Sequence, residues 1–196
     1  HALSAIDTGA SNIGIGYNCL STATNSTNNL AVGHAALAAA TGSNNIALGY
    51  EALNDMVGGQ YNIAIGHYAL DAEDAVSSLT AIGYNALGKN NGGIENTAVG
   101  AHIMASNVTG NDNTAVGYGS LAAATASDNT AVGASCMTGN TGSRNTAVGH
   151  VALNGAGAGN YNVAVGASCC QVMTSGTSNT AVGWSSLDAS TIGRYN

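Results

Sequence analysis

The chain has 196 residues, a formal net charge of −7 and only 7% charged residues, with Lys89, Arg144 and Arg194 as its only basic Lys or Arg side chains. So few cations exclude nucleic-acid binding, which needs a basic surface, and no run is long and apolar enough to span a membrane as a helix. With 28 Gly, no Phe and one Trp, there are few bulky side chains for a conventional core.

From Asn12 onward one pattern fills the chain. Asn-x-Ala-aliphatic-Gly begins at Asn12 (Gly14 replacing Ala), Asn29, Asn45, Asn62, Asn96, Asn113, Asn129, Asn145, Asn162 and Asn179. A further copy has Leu79 for Asn but keeps Ala81, Ile82 and Gly83. The steps are 16 or 17 residues throughout, the signature of stacked repeats rather than of successive domains. Residues 1–196 therefore read as one solenoid region. Because the pattern runs through both ends without capping sequence, a piece of a longer chain is expected.

Numbered from its Asn, each copy has fixed columns. Position two is Ile13, Leu30, Ile46 and Ile63, then chiefly Thr, from Thr80 to Thr180. Position three is Ala, position four aliphatic and position five Gly. Position six is often Tyr or His, position eight is small, and position nine is Leu or Met with one Cys. Asn113, Ala115, Val116, Gly117 and Leu121 show the structural repeat in one copy. Val, Ile and Thr in a short run bounded by Asn and Gly are strand chemistry. The repeat length fits a coil of two short strands and two turns. Coils stacked about 4.8 Å apart would build ladders, with positions four and nine buried: Val99, Val116, Val132 and Val148 with Leu87, Met104, Leu121, Met137 and Leu153. Lys89, Asp128 and Arg144 should be exposed in turns. Asn at position one can bond from coil to coil, and Gly at position five suits a positive φ or a place with no room for a side chain. The small residues at positions three and eight face either the coil's own core or a neighbouring chain. A thin coil so poor in large side chains favours an oligomer.

The motif resembles the YadA-like heads of trimeric autotransporter adhesins, and still more the Asn-Thr-Ala-x-Gly repeats of tail-fibre and surface-fibre proteins. The resemblance covers the whole chain. It implies an all-β, left-handed parallel β-roll, assembled as a parallel homotrimer and used for attachment outside the cell or on a virion, with a host-surface glycan or protein as target.

Chemistry-bearing residues are sparse. Cys19, Cys136 and Cys169 stand at position eight and Cys170 at position nine, where they read as core fillers. His34, His67 and His150 share position six; in a trimer each could converge on the axis to hold an ion or water, or they form a surface stripe with Tyr. Asp71, Glu73 and Asp74 form an acidic turn that could hold Ca²⁺ or lie solvated. Asn25-Ser26-Thr27 and Asn107-Val108-Thr109 match the glycosylation acceptor pattern. No nucleophile elbow, phosphate loop or zinc-protease motif is present, so neither catalysis nor a cofactor is expected. The alternative to a fibre segment is an ice-binding solenoid that uses the Thr column.

Overall fold

The computed structural model describes residues 2–4, 8–39, 41–72, 75–122, 125–155, 157, 159–188 and 193–196. Among them lie eleven three-residue strands: β1 (Ile13–Ile15), β2 (Leu30–Val32), β3 (Ile46–Leu48), β4 (Ile63–Ile65), β5 (Thr80–Ile82), β6 (Thr97–Val99), β7 (Thr114–Val116), β8 (Thr130–Val132), β9 (Thr146–Val148), β10 (Val163–Val165) and β11 (Thr180–Val182). They form one parallel sheet in strict chain order. Every pairing keeps the repeat in register, as in Ile63 with Thr80, Ala64 with Ala81 and Ile65 with Ile82. Each copy of the motif is thus one coil of a β-solenoid.

Among the described residues each coil contains one strand, not two. The segment around positions seven to nine turns instead through left-handed residues: Tyr68 has φ 58° and Leu70 φ 52°, and Val151 and Leu153 repeat the pair at 57° and 48°. Coil-to-coil bonding continues there without strand geometry. Tyr68 N–H donates to the Tyr50 carbonyl at 3.0 Å, and Leu70 N–H donates to the Ala86 carbonyl at 3.0 Å. Left-handed non-glycine residues cost about 1–3 kcal/mol each and persist only where surroundings fix them. Here the stacked coils do so.

The strand faces are assigned opposite to the expectation from side-chain size. Alternation puts positions two and four on one side and position three on the other. Ala47, Ala64, Ala98 and Ala131 are fully buried, so the small residue points inward. Val116, Val132 and Val148 are exposed at 39%, 36% and 37%, and Val99 is only half-buried. The expected buried Val ladder is therefore an outer column. A coil this thin has room beneath the strand for a methyl group, and the long side chains at position nine fill the rest. Leu87, Met104, Leu121, Met137 and Leu153 are buried as expected, each contributing about 1.5–3 kcal/mol. Lys89, Asp128 and Arg144 are exposed.

Two polar devices hold the stack. The Asn45 Oδ1 accepts the Asn62 N–H at 2.9 Å in the next coil, while its Nδ2 donates to the Gly59 carbonyl at 2.9 Å in its own return turn. Asn145 repeats this with Asn162 and Gly159. Leu79, which carries no amide, replaces one rung. The glycine at position five is required twice over. Gly66 has φ 132°, and a Cβ there would strike the Gly83 carbonyl of the next coil.

Candidate functional site

With the core sealed by Ala, Leu and Asn, the groups free to act are those the coils present outward. The first surface is the outer face of the sheet. Because strands stack in register, positions two and four form two parallel columns. Through β1–β4 these read Ile13 and Ile15, Leu30 and Val32, Ile46 and Leu48, Ile63 and Ile65. From β5 onward the first column is Thr80, Thr97, Thr114, Thr130, Thr146, Val163 and Thr180, beside an unbroken aliphatic second column. No charged residue stands in either column. The face is uncharged and partly open: on the end strands Ile13, Ile15 and Val182 are exposed at 55%, 60% and 69%, and the outward residues of β2–β6 and β10 are half-buried.

Beyond the Gly corner runs a ridge of rings. Position six residues of adjacent coils are one coil apart, close enough for rings to stack. Tyr17 and His34 lie 5.3 Å apart at 21°, His34 and Tyr50 5.0 Å apart at 10°, and Tyr50 and His67 6.1 Å apart at 26°. The ridge then crosses into position seven. Tyr50 meets Tyr68 edge-on at 5.4 Å, Tyr68 meets Tyr84 at 6.1 Å, Tyr84 meets His102 at 5.0 Å, and His102 meets Tyr118 at 5.9 Å. Tyr68 and His102 escaped the column reading because they stand at position seven. The signal for His102 was Ala101: with no ring at position six of that coil, the neighbour supplies one.

His34 and His67 therefore belong to this ridge and are exposed, and His150 is exposed farther along. Within one chain His34 and His67 are separated by Tyr50 and do not converge. Asp71 is half-buried. Burial, followed by the negative charges of Glu51 and Asp55, raises its pKa above the usual carboxylate value. The side-chain hydrogen bond with Glu51, and then its charge, raise that of Tyr50. Glu73 and Asp74 lie outside the described residues. Among the described residues no group of three or more His, Cys, Asp or Glu is placed to hold a metal ion.

The four cysteines are free and buried. Burial pushes the Cys136 thiol up to about 12. It does the same for Cys170, with neighbouring Cys169 adding to the effect. Neutral thiols in core slots are inert fillers. A second Asn column, at position twelve, lies outside the repeat motif: Asn90, Asn107 and Asn140 are buried beneath the return turn. Asn90 Nδ2 donates to the Gly93 carbonyl at 2.7 Å, which gives this column a turn-closing role.

No family model matches the chain, and no curated protein or solved structure matches it.

Proposed function

We propose that this chain is a structural and attachment segment of an extracellular fibre, a phage tail fibre or a cell-surface adhesin, and that it is not an enzyme. Three copies assemble in parallel as a homotrimer of left-handed coils, with the outer sheet faces turned toward the shared axis. The observation that carries this reading is the pair of outward columns from Ile13 and Ile15 to Thr180 and Val182, free of charge, one of them aliphatic in every coil. A column of partly exposed aliphatic side chains, one on every coil, loses free energy in water at about 25 cal/mol per Å² of apolar surface. Burial against identical neighbours removes that cost, and closed symmetry keeps the assembly finite. The trimer would repeat each surface group three times per level, so weak contacts combine through avidity. Light scattering of the intact chain tests this: three times the chain mass supports it, and a monomer at micromolar concentration contradicts it.

One observation favours a second reading. The Thr column from Thr80 to Thr180 lies on the same outer face as the Val column, a regular array of hydroxyl and methyl groups such as ice binding requires. It turns aliphatic in β1–β4, which favours the protein-covered reading. Thermal hysteresis by a monomeric chain would reverse the preference.

A further inference from the structure

We propose that the edge-on part of the ridge, formed by Tyr84, His102 and Tyr118, is a binding comb for a neutral, unbranched glycan. This deepens the attachment reading and rests on it for its setting, though not on the trimer. Ring geometry is the first support. Between Tyr17 and Tyr50 the rings lie face to face, so His34 has a ring on each face, while Tyr17, at the end of the row, keeps one face free and is 68% exposed. From Tyr68 to Tyr118 successive rings stand at 87°, 74° and 80°. A neighbour's edge covers less of a ring than a stacked face does, and Tyr84 and Tyr118 remain 49% and 60% exposed.

A notch beside Tyr118 is the second support. Positions six and seven of successive coils are tied by backbone bonds: His102 N–H to the Tyr84 carbonyl, Gly119 N–H to the Ala101 carbonyl, and Ser135 N–H to the Tyr118 carbonyl. Gly119 is thus the position-seven residue between His102 and Ser135. It has φ 60°, and a Cβ added there would meet nothing within 4 Å. The missing side chain leaves open surface beside Tyr118, between His102 on one side and Ser135 on the other. A pyranose suits such a surface, since its C–H face packs on an aromatic ring and its hydroxyl rim bonds to Tyr and His edges.

Charge and spacing narrow the ligand. No Asp, Glu, Lys or Arg stands at position six or seven from Tyr84 to Ser135, and the chain carries ten acidic residues against three basic. An acidic polymer would be repelled. Coils repeat about every 4.8 Å, comparable to the length of one sugar along an extended glycan. Consecutive sugars can therefore meet consecutive coils, which favours a chain over a single sugar.

The test titrates the intact protein with cellohexaose and with chitohexaose, followed by calorimetry and by amide chemical shifts. At least one should saturate at or below millimolar concentration. Tyr84→Ala and Tyr118→Ala should each weaken binding about ten-fold, the equivalent of a lost ring contact. Gly119→Asn, which tolerates the left-handed backbone, should fill the notch and weaken binding too. Tyr118→Phe should keep most of the affinity, and Tyr17→Ala all of it. Melting temperatures confirm that each variant is folded. Saturation by neither sugar, or binding indifferent to Tyr84→Ala and Tyr118→Ala, overturns the comb. A trimer that binds neither sugar overturns the comb alone; a monomer that binds through Tyr118 overturns the trimer alone.

Discussion

The first four coils and the later ones are the same inside and different outside. Ala64 and Ala131 occupy the same inner place, as do Leu70 and Met137, and all four are fully buried. Asn45 and Asn145 make the same pair of bonds. Outside, β1–β4 carry Ile or Leu at position two, and β5–β11 carry Thr with one Val. The ridge of rings likewise links every coil from Tyr17 to Tyr118, and Ala stands at position six in Ala134 and Ala167. The inner columns answer to stacking, which every coil must satisfy identically. The outer columns take no part in filling the coil, and so they are free to change along the stack.

That contrast can be broken most severely from the inside. Gly66→Val and Gly133→Val should each cost about 3 kcal/mol or more, because both place a β-branched side chain at positive φ against the next coil's carbonyl. Equal losses in chemical denaturation are expected; a markedly smaller loss at either site would break the claim of a common skeleton. Asn45→Ala and Asn145→Ala come next, at about 2–4 kcal/mol each, since each strands a buried N–H in the next coil and a turn carbonyl in its own. The same denaturation series checks whether the two costs agree.

The outer columns should behave asymmetrically. Ile63→Thr removes apolar surface from the first half, whereas Thr130→Ile adds it to the second. Sedimentation should show weaker association for Ile63→Thr and stronger for Thr130→Ile, by about 1–2 kcal/mol per subunit. Identical behaviour would mean that the outer columns carry no interface. The smallest effect concerns Asp71, whose pKa is raised in the folded chain, chiefly by burial. A raised carboxylate favours folding while protonated and opposes it once ionised. Asp71→Asn should therefore raise the melting temperature slightly at pH 7, and the gain should vanish as pH falls below the usual carboxylate value of 3.8.

The repeat made the skeleton legible. Asn, Gly and Leu recur at fixed intervals because each coil needs the same rung, the same close approach and the same filler. The direction of the strand was not legible. In a three-residue strand, Thr-Ala-Val can bury either its middle or its two ends, and the thinness of the coil, a three-dimensional property, selects Ala. The missing second strand has a similar cause. Position seven holds Asn18, Ala35, Glu51, Tyr68 and Val151, all at positive φ, and no shared residue type announces that conformation. Of the candidate residues, the His column was visible as a stripe, but its stacking with Tyr17 and Tyr50 depends on coil spacing. The jump of the ridge into position seven depends on the absence of a ring at Ala101.

The outward placement of position four changes what Val116→Asp should do, and this variant tests the proposed interface most directly. Were Val116 buried, the substitution would place an unpaired charge in a dry ladder and unfold the coil. On an outer face it should leave the coil intact and put three carboxylates at the shared axis. Light scattering with circular dichroism on the wild type and Val116→Asp is decisive. The expected result is a wild-type trimer and a variant at one third of that mass with its β signature retained. A wild-type monomer, a variant trimer of undiminished stability, or a variant that loses its β structure as a monomer would contradict the assignment of the outer sheet face as the subunit interface.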